Sequence, residues 1–487
     1  MSSFYFYDLE TSGVSPRRDR VMQFAGQRTN RDLKPIGQPD NFLIKLTADI
    51  LPDPYAVLIT GITPQQTLAS GITEAQFLRH FTDKIATSDT IILGFNNVRF
   101  DDEFMRFMLW RNFYDAYEWQ WKDGCSRWDL LDLVRMTRAL RPDGIKWPYA
   151  PDGKPTNRLE FLSAVNKLTH INPHDALSDV MAAIDVARLI KAKQPKLFDY
   201  LLNVRGKQKA AALVGRGEPL IYTSGKYSSE HAHTTLAVKI ADHPDRSAAI
   251  VYDLRIDPKD FAELSPKELA EKWSAYGKDA PYFPAKVLAY NRCPAVAPAN
   301  VLDAKSAKRL DLSEAKIAKH LKALPEDFGD KLVRALELIN KERQTEMVVD
   351  PAKVDEQLYD GFVNGADKLK MSAVRAASAE AIDGLHIDFN DDRLNALLPL
   401  YKARNFPASL QPDEKAAWDK FKTQKLTGGK VDLLAQYFKK LDELSSRPAL
   451  ADAEKFVLEE LRQYGGSVKP ASWRPAAPAA TKRGGAK

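Results

Sequence analysis

The chain has 487 residues, 44% of them hydrophobic and 28% charged, with a formal net charge of +6. This composition gives about three domains of an ordinary globular protein and excludes a fibrous or wholly disordered chain. No run of roughly 18 apolar residues predicts a membrane span, and no secretory signal pattern opens the chain. The two cysteines, Cys125 and Cys293, form neither a disulfide framework nor a metal spacing, so a reducing cytoplasm is the expected compartment.

Phe4, Tyr5, Phe6 and Tyr7 predict a buried strand running into Asp8-Leu9-Glu10. Residues two apart in a strand share a face. Asp8 and Glu10 therefore project side by side, where they repel one another and lose hydration. DRVMQFAGQRT and DNFLIKL follow as strands, EAQFLRHFTDKIA as a helix and TIILGF as a buried strand. FMRFMLWRNF, DLLDLVRMTRAL and DALSDVMAAIDVARLIKAK carry apolar residues at helical spacing. This alternation predicts an α/β domain with a mixed sheet over 1–195.

QPKLFDYLLNVRGKQKAAALV reads as a helical bridge. PLIYTSG, TTLAVKIA, SAAIVYDL and KVLAYNRCPAV read as short strands between turns. They predict a small β-barrel or β-sandwich, which with flanking helices occupies 196–345. The helical patterns VDEQLYDGFV, DRLNALLPLYKARN and DLLAQYFKKLDELS predict an α-helical domain over 346–468. Residues 469–487, rich in Pro, Ala, Gly and basic residues, are expected to be a disordered tail.

Two further segments bear on Asp8 and Glu10. In ILGFNNVRFDDEF, Asp101 follows a buried strand and an Asn-containing turn, from which a side chain reaches a cleft beyond the strand end. In INPHDALSDVMAAIDVARL, Pro173 and Asp175 predict a helix start, with His174 at its mouth and Asp179 just inside. Five residues along a helix turn through about 140°, so a loop position for His174 lets both reach one site. Hard divalent cations such as magnesium bind acidic oxygens. Two of them, about 3.5–4 Å apart, activate water and stabilise a leaving oxygen in phosphodiester hydrolysis. A histidine beside them accepts the water's proton. Each residue alone has an ordinary reading: an edge-strand face, a turn residue, a capping histidine. Their conjunction in this order points to a hydrolytic metal site.

At these residues the chain resembles the DEDD exonuclease superfamily, in its histidine-containing subclass. The first motif matches as Asp8-Leu9-Glu10-Thr11, the second as NNVRFD ending at Asp101, and the third as His174, Ala176 and Asp179. YAVLITGITPQQ resembles the superfamily's loop between the first two motifs. ILGFNNVRFDDEF, RNFYDAYEWQWKDGCSRWDLLDL, LRPDGIKWP, QPKLFDYLL and YKARNFPASL are similar to the bacterial exodeoxyribonuclease I family, through every region except the tail. The resemblance implies a ribonuclease H-like exonuclease domain, an SH3-like β domain and an α-helical domain that enclose a DNA strand. It implies a magnesium-dependent 3′-to-5′ exonuclease, monomeric, that degrades single-stranded DNA to 5′-mononucleotides in repair and recombination. Asp8, Glu10, Asp101 and Asp179 would hold two Mg2+ ions, with Mn2+ able to substitute, and His174 would be the base. It also implies a partner, the single-stranded DNA-binding protein, whose acidic tail needs a basic pocket. Arg141 is the candidate there.

Residues 104–144 interleave aromatic and basic side chains, a pattern suited to stacking unpaired bases while cations follow phosphates. Helical spacing makes a core role equally compatible for several of these aromatics. Tyr117 and Trp121, in a polar irregular stretch, are the candidate stacking residues. Arg106 and Arg135 are candidate phosphate ligands. Arg158, at the start of an apolar-periodic segment, is a candidate to meet the terminal nucleotide, and Glu10 is a candidate substrate contact. Lys207, beside Arg205 and Lys209 at the entrance to the second domain, is a further candidate for DNA binding, with a solvated linker the plain alternative. An RNA substrate is one competing expectation, distinguished by 2′-hydroxyl contacts. A non-catalytic strand-binding scaffold is the other, and a missing carboxylate would have favoured it.

Overall fold

The computed structural model describes residues 2–170, 174–275, 277, 281–343 and 348–474. Pro173 of the expected helix start, and residues 475–487 of the expected tail, lie outside the described residues.

The first sheet is built on β1 (Ser3–Thr11), its middle strand, in the order β3 (Asp40–Leu43), β2 (Val21–Thr29), β1, β4 (Thr90–Gly94) and β5 (Ser126–Asp129). β2 is antiparallel to β1 and β4 is parallel to it. β1 is buried on both faces, which explains its run of aromatics. Phe4 and Phe6 join a core with the helix Ala176–Lys193, and Tyr5 and Tyr7 join another with the helices Glu74–His80 and Asp101–Arg111. The tyrosine hydroxyls buried there have acceptors: Tyr5 donates to Asp40 at 2.6 Å and Tyr7 to Asp102 at 2.5 Å. Asp8 and Glu10 lie on the Phe4–Phe6 side, by the two-residue period of the strand.

YAVLITGITPQQ contributes two short helices, Pro54–Thr60 and Pro64–Ser70. Each has its cue in the sequence, a capping Asp53 or Thr63 followed by proline at the first helical position. Gly61, at φ 71°, ends the first of them in the left-handed region.

The helices Pro195–Val204 and Lys207–Val214 lead to a second, all-antiparallel sheet. Its order is β10 (Ala295–Pro298), β6 (Leu220–Thr223), β7 (Thr234–Asp242), β8 (Ala248–Asp253), β9 (Ala285–Ala289). The helix Phe328–Arg343 packs on it, with Phe328 edge-on to Tyr252 at 5.8 Å. The remaining elements are helical, and they share cores with the first domain. Phe107, Trp110 and Phe113 pack with Val354, Leu358 and Leu397, and Val57 packs with Tyr437 and Leu441. No helix among the described residues is long and apolar enough to cross a membrane.

The start of the expected tail is held. Trp473 Nε1 donates to Asp432 at 2.8 Å, and its ring lies 5.8 Å from that of Phe438. Composition missed this because one tryptophan with a donor and an aromatic neighbour is enough to dock a short segment.

Candidate active site and strand groove

The end of β1 gathers the carboxylates. Oxygens of Asp8, Glu10 and Asp179 all lie within 4.8 Å of one another. The β1–β2 register shifts between Glu10 and Thr11, so the strand breaks step just past the acidic pair. Asp179 arrives on the first turn of the helix Ala176–Lys193, whose cap is Asp175, accepting from Ser178 N at 3.1 Å. Gln23 of β2 clamps that helix start, donating to Asp175 at 3.2 Å and accepting from Ala176 N at 3.3 Å. Asp101 opens the helix Asp101–Arg111, beyond β4, and its carboxylate accepts from the Leu9 amide.

The neighbouring pair Asp101-Asp102 divides its duties. Asp102 is wholly buried, ion-paired to Arg127, and accepts from Tyr7 and Asn97. Asp101 has no such cation among the described residues and acts on Asp8 of the acidic cluster. The loop that delivers it is set by Asp129, which accepts from the Asn96, Val98 and Leu131 amides at 2.9, 3.3 and 2.9 Å.

Burial raises the Asp8 pKa well above the ordinary carboxylate range, and Asp101, Glu10 and Asp179 push it the same way. Burial, then Asp179 and Asp101, push Glu10 up to about 9. Burial also raises Asp101, helped by Asp102. Without a cation these groups favour the neutral form. A set of converging, mutually repelling oxygens fits a hard divalent ion, whose charge removes the repulsion.

Two histidines flank Asp179. His174 stands in the loop before the helix at φ 67°, with its side chain exposed. Its backbone amide donates to the Asp179 carboxylate. His170 Nε2 lies 2.5 Å from Asp179 Oδ1, with its side chain only 6% exposed. Sequence reasoning passed over His170, although the string THINPHD holds both histidines. Burial raises the Asp179 pKa, and the His170 hydrogen bond opposes it.

The groove residues are placed unequally. Trp121 is 63% exposed and Tyr117 is half-buried. Both line a cavity of about 320 Å³ together with Tyr359 and Phe362 of the helical domain. Phe362 is 98% exposed, which no core role explains. Sequence reasoning missed it because its neighbours, DGFVNG, carry no basic residues. Trp110 and Trp119 are core.

Arg106 does not stand free as a phosphate ligand. It is buried, donates to Glu103 at 2.6 Å and Gln120 at 3.1 Å, and lies over the Tyr117 ring at 5.4 Å. Arg135 is held by Asp132 at 2.7 Å, close against Gly225 of the second domain. Arg158 precedes the helix Leu159–Val165 with its side chain 72% exposed and 3.9 Å from Glu160. Lys207 is exposed at its helix start, while Arg205 donates to Ser126 and Lys209 to Asn203. Arg141 is partly exposed beside Asp303 at 3.2 Å and donates to Val301 O. Arg309 is bound nearby, to Ala139 O at 2.7 Å.

Comparison with known proteins matches three family models along the chain. Residues 5–187 match the family described as Exonuclease, 205–339 the Exonuclease I SH3-like domain, and 352–468 the Exonuclease I C-terminal domain. Exodeoxyribonuclease I of Escherichia coli is 39% identical over 471 residues, covering 95% of this chain and 97% of that protein. The crystal structure of Escherichia coli exonuclease I with a dA16 oligonucleotide superposes with TM-score 0.90 at 38% identity, covering 96% of this chain and all of that one. A zinc-bound complex of the Escherichia coli protein with single-stranded DNA gives 0.89 at 38% identity, covering 96% and 99%. A structure of SSB and exonuclease I with an inhibitor gives 0.87 at 38% identity, covering 96% and 100%. With matching domains throughout and such identity over nearly its whole length, this chain belongs to the exodeoxyribonuclease I family of exonucleases.

Proposed function

We propose that this protein is a magnesium-dependent 3′-to-5′ exonuclease that degrades single-stranded DNA processively to 5′-mononucleotides, as a cytoplasmic monomer serving repair and recombination. The convergence of Asp8, Glu10 and Asp179 within 4.8 Å, with Asp101 beside them, is the observation that carries this reading. The oligonucleotides in the similar structures support DNA as the substrate.

Asp8, Glu10, Asp101 and Asp179 would hold the divalent cations, which when bound activate the attacking water and stabilise the leaving oxygen. His174, exposed just before the helix Ala176–Lys193, takes the water's proton. His170 holds the Asp179 carboxylate in orientation. Arg158, exposed at a helix start, meets the terminal phosphate. The three regions, 1–195, 196–345 and 346–468, flank the strand, with Lys207 and Arg135 following its backbone. The structure containing SSB supports that partner, and Arg141 with Arg309 would receive its acidic tail. Incubating the protein with end-labelled single-stranded DNA or RNA, with and without magnesium, tests the whole reading. Magnesium-dependent shortening of the 3′ end of DNA is expected. Equal attack on RNA, or activity in excess chelator, would overturn it.

The aromatic cavity accounts for processivity. Bases stack on aromatic rings at roughly 1–3 kcal/mol each, and only when unpaired. Phe362→Ala or Trp121→Ala should therefore speed release of a single strand by roughly 5- to 150-fold. Run length before dissociation, read in the presence of a DNA trap, should shorten while the single-turnover rate stays near wild type. Unchanged run lengths in both variants would remove the cavity from the strand's path.

A further inference from the structure

The turn joining β1 to β2, residues 12–20, follows directly on Glu10 and Thr11. Ser12 N donates to Arg20 O at 2.8 Å, and Arg20 N donates to Ser12 Oγ at 2.8 Å, so Arg20 closes the turn. The Arg20 guanidinium then folds back, donating through Nη1 to Arg18 O at 2.9 Å. Its Nη2 leaves the domain altogether and donates to Asp355 at 2.6 Å, in the C-terminal region. Asp355 accepts two further bonds from Arg404, at 2.9 and 2.8 Å. Arg404 also reaches Asp49 at 2.8 Å, and Lys425 bonds Asp49 at 2.6 Å. Arg20, Asp49, Asp355 and Arg404 are all buried, with side chains at most 7% exposed.

The seam around this network is apolar, built on Phe107, Trp110 and Val354. Well-packed apolar residues hold such a seam as firmly as ions do, so buried ion pairs are weak evidence of stability and are better read as fixing one geometry. What is distinctive here is where the network ends: on the turn that follows the acidic strand. A second contact runs alongside. Arg17 of the same turn donates to Glu356 O at 3.3 Å and lies 5.8 Å from the Tyr359 ring that lines the strand groove.

We infer that Arg20 is a positioning residue: anchored by Asp355 and Arg404 of the C-terminal domain, it fixes the β1–β2 turn and through it the register step that aims Glu10 into the metal site. The C-terminal domain thus contributes to the chemistry as well as to holding the strand. This rests on the carboxylate cluster being a divalent-metal site.

Calorimetric titration of the DNA-free protein with manganese(II) chloride tests it. Wild type should bind. Arg20→Met should bind roughly tenfold more weakly, as loss of an outer-shell partner does at metal centres, and Arg20→Lys should recover part of the loss. Lys425→Met, which removes a cation 3.6 Å from Asp355 but leaves the Arg20 and Arg404 bonds to Asp355 in place, should lower melting temperature but keep wild-type affinity. Should Arg20→Met fail to fold, Ser12→Ala, which removes the hydroxyl that accepts from Arg20 N, should weaken binding in the same direction. Wild-type affinity in a folded Arg20→Met, or in Ser12→Ala where Arg20→Met does not fold, would overturn the inference, as would an equal loss in Lys425→Met. Absence of manganese binding by the wild type would instead overturn the metal reading beneath it.

Discussion

Asp8→Asn should abolish exonuclease activity and leave a folded protein that melts higher than metal-free wild type. Asp8 lies on the buried side of β1 within 4.8 Å of the Glu10 and Asp179 oxygens, so its removal deprives any cation of a central donor. The loss should exceed the roughly 10–100-fold that removal of an outer-shell partner costs. The gain in stability follows from the same geometry, because above its ordinary pKa Asp8 is ionised in the unfolded chain while the buried, repelling site disfavours that charge, and an amide escapes this cost. Turnover near wild type in the folded variant would end the metal-site reading.

The sign of the pH dependence follows from Glu10. Its folded pKa is about 9, against an ordinary value of 4.5. A raised carboxylate binds its proton more tightly in the folded state, so its contribution to stability is fully present below pH about 4.5 and is lost as pH rises toward 9. Asp8 and Asp101 shift in the same direction. Metal-free protein should therefore lose melting temperature as pH rises through this window, beyond what the rest of the chain dictates. Added magnesium should restore more of it at pH 8 than at pH 6, since the ion replaces protons that are no longer bound. Thermal melts with chelator and with magnesium at both pH values measure this difference.

How much of this was legible in the sequence depended on whether the cue was local. β1 was legible because four aromatics in a row suit a strand buried on both faces, and Asp8 and Glu10 inherit their shared side from the two-residue period. The second sheet was legible from turn-bounded β-rich runs, although KVLAYNRCPAV holds two strands, β9 and β10, separated by a turn. The helices at 54–60 and 64–70 carried cap-and-proline cues that a seven-residue element makes easy to pass over. The division of labour between Asp101 and Asp102 was not legible in mechanism, since it depends on Arg127, a partner 25 residues away across the sheet. Nor was the state of Arg106: its spacing among aromatics suggests a phosphate ligand, while Glu103 and Gln120 occupy it. Phe362 and Arg20 were invisible for the same reason. Their meaning lies in the seam between domains, where residues more than 200 positions apart meet.

His174→Ala should lower single-turnover cleavage by the roughly 10²–10⁴-fold typical of losing a general base, with manganese affinity kept, because the donors in the cluster are carboxylates. His170→Ala should show the converse balance. His170 grips Asp179 at 2.5 Å and is nearly enclosed, so its loss frees a ligand to turn away and should weaken manganese binding roughly 10–100-fold. Saturating metal should then recover much of its turnover, whereas no metal concentration should rescue His174→Ala. The positions differ in what each side chain is free to do: His170 is spent on Asp179, while His174 sits exposed on a loop at positive φ beside the same carboxylate. Measuring metal affinity and saturated turnover for both variants separates the roles. If metal rescues His174→Ala but not His170→Ala, the base is His170, and the exposed histidine serves only to shape the loop.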